Sequence, residues 1–193
     1  MRRSSGTIAF DYFNRANGAL GTADSGQSWI TPADTLSIVS NAAKRTASTP
    51  SYGASAFIDT GTQSHTIEAD ITMASDGGVG LRILSPTSAP DQNGWCIWFT
   101  ASTAYTYLFS SGGHTGYSPV SYSWTSGVTK HVKVVASQTG SNVSIYTYID
   151  GTLIKTFNST DAPTGTMTLA GIFVLLTSGT PAQTIDNVVI TRT

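Results

Sequence analysis

Between Lys130 and Phe157 apolar and polar residues alternate with a period of two, in the run KHVKVVASQTGSNVSIYTYIDGTLIKTF. Val132 and Val134 flank Lys133, Val143 and Ile145 flank Ser144 with Tyr146 beyond, and Leu153 and Phe157 flank Lys155. That period belongs to half-buried β-strands. Gly140 marks the first turn, and Asp150-Gly151 is the dipeptide best able to hold the two positive φ angles of a type I′ hairpin. The segment therefore predicts three antiparallel strands in fixed register.

The same reading along the chain predicts strands at Thr7 to Phe13, Leu36 to Ser40, Ser55 to Asp59, His65 to Met73, Gly80 to Leu84, Gly94 to Thr100 and Ala104 to Phe109. It continues with Pro119 to Trp124, Lys130 to Ala136, Val143 to Ile149, Thr152 to Phe157, Met167 to Leu176 and Gln183 to Arg192. Gly, Pro, Asn and Ser punctuate the gaps, and no stretch of a dozen residues keeps a helical period with caps. Many short strands point to an all-β fold, a two-sheet antiparallel β-sandwich or jelly roll. In QTIDNVVITR, Ile185, Val188 and Ile190 break parity near Asp186-Asn187, which predicts a bulge. The comparably apolar TIAFDYF strand is expected beside it, with the termini on one side of the domain.

Composition reinforces this picture. Ser and Thr exceed a quarter of the 193 residues while charged residues make up 11%, a bias that suits strands and turns. The length fits a single domain spanning 1–193. A formal net charge of -1 with scattered cations excludes an electrostatic footprint for nucleic acid or an anionic membrane. Arg2-Arg3 reads as a solvated or subunit-contacting end. The start MRRSSGTIAF lacks the apolar segment of a secretory signal, and no apolar run reaches membrane-spanning length. Cys96 is the sole cysteine, so an intrachain disulfide is excluded. In GWCIWF it reads as a buried, unreactive thiol.

Candidate chemistry is sparse. HTIEADITM puts Glu68 and Asp70 on one strand face, with Thr72 next. A paired nucleophile and acid would suit retaining glycoside hydrolysis, but Glu68 is the only glutamate. His65, His114 and His131 have no short ligand spacing, and no zinc pattern exists. His114 lies in SSGGHTGYSP, read as a glycine-rich loop in reach of a ligand. Asp76-Gly77-Gly78 and Asp91-Gln92-Asn93-Gly94 read as turns without the dense oxygen ligands of an EF-hand. The aromatic residues are the better binding signal. Trp95 and Trp98 have opposite parity, which puts at least one in the core. Tyr105 with Tyr107, Tyr122 with Trp124, and Tyr146 with Tyr148 each share a face; with His114 and Tyr117 they form the set of candidate ligand contacts. A flat apolar ring with a polar edge suits stacking on sugar or packing on a subunit, and ordinary cross-strand packing is the competing reading.

His131-Val132, Ile149-Asp150-Gly151 and Ile185-Asp186-Asn187-Val188, in this order, resemble the concanavalin A-like lectin and glucanase superfamily, particularly its laminin-G-like branch. That resemblance implies a jelly roll, and it admits calcium at the sandwich rim, although no residue here requires a cofactor. The opening FDYFNRANGALGTADSGQSW, with Phe13-Asn14-Arg15, Gly18, Gly21 and Trp29, resembles the start of jelly-roll domains in tail and other virion proteins of phages infecting actinobacteria. Asn14 and Arg15 read as a structural corner that satisfies exposed carbonyls. The resemblance implies a non-enzymatic virion surface protein, tail-attached or capsid-decorating. Such a protein would be made in the host cytoplasm and present as a homo-oligomer or in many copies. Its partners would be other virion proteins and a cell-surface glycan. The alternatives are a carbohydrate-binding lectin domain and a glycoside hydrolase using Glu68 and Asp70.

Overall fold

The hairpins predicted from the Lys130 to Phe157 pattern are present and set the register of a whole sheet. The computed structural model describes residues 6–32, 36–46, 53–74, 78–87, 89–90, 92–161, 165–175 and 183–193. Strands β11 (Thr129–Thr139), β12 (Asn142–Ile149) and β13 (Thr152–Ser159) pair in sequence. Asp150 and Gly151 have φ of 50° and 78°, the two positive angles of a type I′ turn. Gly140 turns the preceding pair with φ of 60°. Val132, Val134, Ala136, Val143, Ile145 and Ile149 point inward and are buried. The pairing of β13 slips by one residue, Ile154, opposite Thr147 and Tyr148 of β12. This bulge turns Leu153 outward to 48% exposure while Lys155 is buried, the reverse of the placement expected from the apolar and polar character of the two residues.

The strands before this unit are β1 (Thr7–Asp11), β2 (Gly18–Ala19), β3 (Leu36–Ile38), β4 (Ala43–Arg45), β5 (Ala54–Asp59), β6 (Ser64–Thr72), β7 (Gly78–Ser85), β8 (Gly94–Phe99), β9 (Thr103–Ser110) and β10 (Gly113–Ser121). After it come β14 (Leu169–Leu175) and β15 (Thr184–Arg192). They form a nine-stranded antiparallel sheet, β13-β12-β11-β6-β15-β4-β3-β2 with β1 also on β15, and a six-stranded one, β10-β9-β8-β7-β14-β5. The two sheets face each other as a sandwich. Between them lie Ile67, Ala69 and Ile71 of β6, Leu81 and Ile83 of β7, Trp95, Ile97 and Phe99 of β8, and Ile172 and Val174 of β14, all with no exposed surface. No described residue is helical, and no helix is long and apolar enough to cross a membrane.

The end strands are neighbours, with Thr7 opposite Thr191 and Asp11 opposite Val188. β15 carries the predicted bulge between Asp186 and Val189, where Asn187 has φ of 50°. Two expectations shift. The strand placed at Pro119 to Trp124 begins earlier, at Gly113, and ends at Ser121, so His114 belongs to a strand and not to a loop. The turn at Asp76-Gly77-Gly78 lies outside the described residues except for Gly78, as do Asp91 of the second turn, Leu176 of its strand, and Arg2-Arg3.

The opening corner is built on a buried carboxylate. Asp11, with no exposed surface, accepts from Arg15 at 2.6 and 2.9 Å, from the Trp29 indole at 2.7 Å and from the Phe13 N–H at 2.9 Å. Arg15 also donates to the Leu20 carbonyl at 2.6 Å. Its guanidinium is held above its ordinary pKa by the Asp11 hydrogen bond, against the opposing effect of burial. Asn14 is exposed, and Asn17 closes the neighbouring turn by accepting from the Ser40 N–H at 2.9 Å.

Candidate functional site

Alternation on β8 sends Trp95, Ile97 and Phe99 into the core and leaves Cys96 and Trp98 on the outer face of the six-stranded sheet. The register then brings further rings beside them. Trp98 lies opposite Tyr105, Cys96 opposite Tyr107, and Phe109 opposite His114. Ring centroids are 5.3 Å apart for Trp98 and Tyr105, 5.6 Å for Tyr105 and Tyr107, 5.5 Å for Trp98 and Tyr107, and 5.2 Å for Tyr107 and His114. Phe109 and Phe173 close one side at 6.2 Å. The result is a continuous aromatic platform around a shallow depression of about 90 Å³.

Glycines on adjacent segments allow the rings to lie against the sheet. A Cβ on Gly78 would sit 1.4 Å from Trp98 Nε1, one on Gly116 2.9 Å from Tyr107 Cε1, and one on Gly53 2.5 Å from Phe173 Cε2. Trp98, Tyr105 and Tyr107 remain partly exposed and His114 is exposed, while Phe109 and Phe173 are buried. Arg82 lies beneath the platform with no exposed surface, 4.4 Å from the Phe109 centroid, and donates to the Pro90 and Asn93 carbonyls at 2.7 Å each. Its guanidinium is enclosed on the outer face of the sheet. Burial pushes the Cys96 thiol up to about 12, with Arg82 only partly opposing this, so the thiolate is not accessible chemistry. Burial, then the neighbouring Tyr105, also raises the Tyr107 phenol. What this face offers is ring surface with phenol and imidazole edges, suited to stacking and hydrogen bonding.

The outer face of the nine-stranded sheet is different in kind. β11 sets His131 opposite Asp70 and Lys133 opposite Glu68. The imidazole bonds both carboxylates, Nδ1 to Asp70 Oδ1 at 2.8 Å and Nε2 to Glu68 Oε2 at 3.1 Å. Lys133 reaches Glu68 Oε1 at 3.1 Å, and Asn187, turned by its bulge, donates to Asp70 Oδ2 at 2.8 Å. Burial pulls the His131 pKa down, but the hydrogen bonds and charges of Asp70 and Glu68 leave it raised above 6.5. The Asp186 carboxyl beside them is raised by burial, with the Asn187 N–H opposing and the charge of Asp70 adding. Glu68 and Asp70 are thus both engaged by one imidazole ring. Among the described residues no group of three or more His, Cys, Asp and Glu is disposed to hold a metal ion.

The remaining predicted contacts are dispersed. Trp124 is a correction: it is 2% exposed and donates its indole N–H to the Val128 carbonyl at 2.8 Å, so it packs in the core past the end of β10. Tyr122 touches it at 6.0 Å and spends its hydroxyl on the Thr100 carbonyl at 2.6 Å, and burial raises the phenol pKa. Tyr117 faces the opposite way from His114, against Trp95 and Phe157. Tyr146 and Tyr148 lie partly exposed on the charged face. His65 is buried and held neutral, its pKa lowered to about 4 by burial despite a backbone contact to Thr62. Sequence reasoning left Trp98, Phe109 and Phe173 out of the candidate contacts. Phe109 shares parity with Tyr105 and Tyr107, and that was the available signal.

No family model matches the chain, and no curated protein sequence matches it. Solved structures do. A carbohydrate-binding module, CBM66 of Bacillus subtilis, superposes with a TM-score of 0.62 at 18% identity, covering 84% of this chain and 94% of that one. The alginate lyase Aly36B, solved as a double mutant in complex with an alginate tetrasaccharide, gives a TM-score of 0.58 at 17% identity and 97% coverage of both chains. The receptor-binding domain of botulinum neurotoxin type G gives 0.60 at 11% identity, covering 97% of this chain and 48% of that one. The shared feature is the two-sheet jelly-roll sandwich, as the strand pattern predicted.

Proposed function

We propose that this chain is a non-catalytic carbohydrate-binding module that holds an uncharged polysaccharide against the aromatic platform of its six-stranded sheet. The observation that carries this is the Trp98, Tyr105 and Tyr107 cluster, partly exposed, in mutual ring contact and seated on glycine. A pyranose has an apolar C–H face that stacks on such rings, while its hydroxyls reach the phenol and imidazole edges. The described platform residues include no Asp, Glu or Lys, and the Arg82 guanidinium beside them is buried. That composition suits a neutral chain and offers no exposed Lys or Arg to a polyuronate such as the alginate of Aly36B.

The structural neighbours described above include both a binding module and an enzyme, and fold alone does not choose between them. The local chemistry favours binding. The carboxylates proposed for hydrolysis, Glu68 and Asp70, are on the other sheet and engaged by His131, Lys133 and Asn187. Affinity electrophoresis in gels containing laminarin, galactomannan, xyloglucan or levan tests the reading, with alginate and polygalacturonate as anionic controls. At least one neutral polymer is expected to retard the protein and the anionic ones are not. Absence of retardation by all four neutral polymers contradicts the proposal.

The Phe13-Asn14-Arg15 opening motivates a second reading of setting, display of this module in many copies on a phage virion, where glycan binding would serve adhesion. The neighbours described bear on carbohydrate and not on virions. Mass spectrometry of purified virions tests that reading, and absence of the protein from particles while it is expressed in infected cells overturns it.

A further inference from the structure

The edge strands of the two sheets, β10 and β13, leave a cleft of about 600 Å³ between them, on the far side of β10 from the platform. One wall is aromatic. Tyr117 and Phe157 meet at 5.2 Å and 61°, and both pack on Trp95, at 5.5 and 5.2 Å. The other wall is polar, formed by Asn142, Ser144, Asn158 and Asp161. Its groups are held in place by the sheet and by each other. Ser144 and Asn158 are cross-strand partners, and the serine hydroxyl donates to Asn158 Oδ1 at 2.8 Å. That bond fixes the amide so that Nδ2 is the free-facing donor. Tyr117 donates to Asp161 Oδ2 at 3.0 Å, and Ser159 anchors the Asp161 N–H at 3.0 Å. Among the described residues the second carboxylate oxygen has no donor and is left to accept.

We propose that this cleft is a second saccharide site, for a single uncharged pyranose residue or chain end, separate from the platform. A carboxylate acceptor and an amide donor on one wall match two vicinal hydroxyls, and the rings opposite match the C–H face. The volume lies within the range of small-molecule sites. His114 on the platform and Tyr117 in the cleft are three residues apart on β10, about 10 Å along the strand, and they face opposite ways. The inference takes its ligand class from the carbohydrate reading but uses none of the platform residues.

The test is a titration of the ¹⁵N-labelled full chain with D-glucose, D-galactose, D-mannose and N-acetyl-D-glucosamine at millimolar concentration. At least one sugar is expected to shift the Asn158 side-chain amide and the Phe157 to Asp161 backbone amides saturably. Asn158→Ala and Asp161→Ala, both at exposed positions, are expected to weaken that response by about tenfold or more, equivalent to 1.4 kcal/mol, while Trp98→Ala leaves it unchanged. No shift with any of the four sugars overturns the proposal, as does a response that survives Asp161→Ala or is lost in Trp98→Ala. Polymer retardation in gels reports the platform separately, so failure of either site is recognised on its own.

Discussion

The two outer faces of this sandwich are built from the same kind of strand but present opposite chemistry. On the nine-stranded sheet, Glu68, Asp70 and Asp186 are interleaved with His131 and Lys133, with contacts between neighbours on the same face, and Lys130 pairs with Asp150 of the hairpin turn. On the six-stranded sheet, Trp98, Tyr105, Tyr107 and His114 leave ring surface exposed beside glycines, with the neighbouring Arg82 guanidinium buried. A polar face whose groups satisfy one another gains little from a ligand, because binding would first have to break those bonds. An apolar face left partly wet gains from any partner that covers it. The difference locates function by what remains unsatisfied.

Substitutions on the two faces should therefore differ in both size and kind. The largest effect on stability is expected from Gly171→Ala on the six-stranded sheet, where a Cβ would stand 1.9 Å from the Ala56 carbonyl oxygen. Overpacking of that kind costs about 3 kcal/mol, and thermal melting should fall by roughly 6–12 °C. Next is Gly78→Ala, which lifts the Trp98 ring off its seat. Retardation by the neutral polymer should weaken about tenfold, with changed tryptophan fluorescence and a smaller loss of stability than for Gly171→Ala. On the opposite face Lys133→Ala removes a partly exposed ion pair, and the expected loss by denaturant titration is under about 1 kcal/mol with polymer binding unchanged.

The smallest effect is a pH dependence. Because His131 has a pKa raised above 6.5 in the folded state, its protonated form stabilises the fold fully below the unfolded value. That contribution is lost as pH rises from 6.5 through the raised value. Half-exposed, the group contributes well under about 1 kcal/mol. His131→Gln should flatten this part of the melting-temperature profile; a variant profile parallel to that of the unmodified chain contradicts the assignment.

Much of the scaffold was legible because it is written in local terms. The Asp150-Gly151 turn, the parity break at Asp186-Asn187 and the opposite destinations of Trp95 and Trp98 each follow from a few adjacent residues. The faces were less legible because they depend on register between distant strands. His131 meets Asp70 and Glu68 across more than sixty positions of sequence, and only the β11–β6 pairing aligns them. Glycine misled the reading of residues 110–118, since its low strand propensity suggests a loop, whereas Gly116 is the space into which Tyr107 fits. Trp124 misled it too. Its parity with Tyr122 is real, but β10 ends before either residue and the chain then turns Trp124 inward. Leu153 shows the same limit on a smaller scale, because one bulge reverses its face.

The most direct test of the central claim compares one substitution on each face in the same polysaccharide gels. Trp98→Ala and Glu68→Gln are run beside the unmodified protein, with folding verified by circular dichroism. The account predicts that Trp98→Ala loses retardation by the neutral polymer and Glu68→Gln keeps it in full. Retention of binding in Trp98→Ala, or its loss in Glu68→Gln, would contradict it.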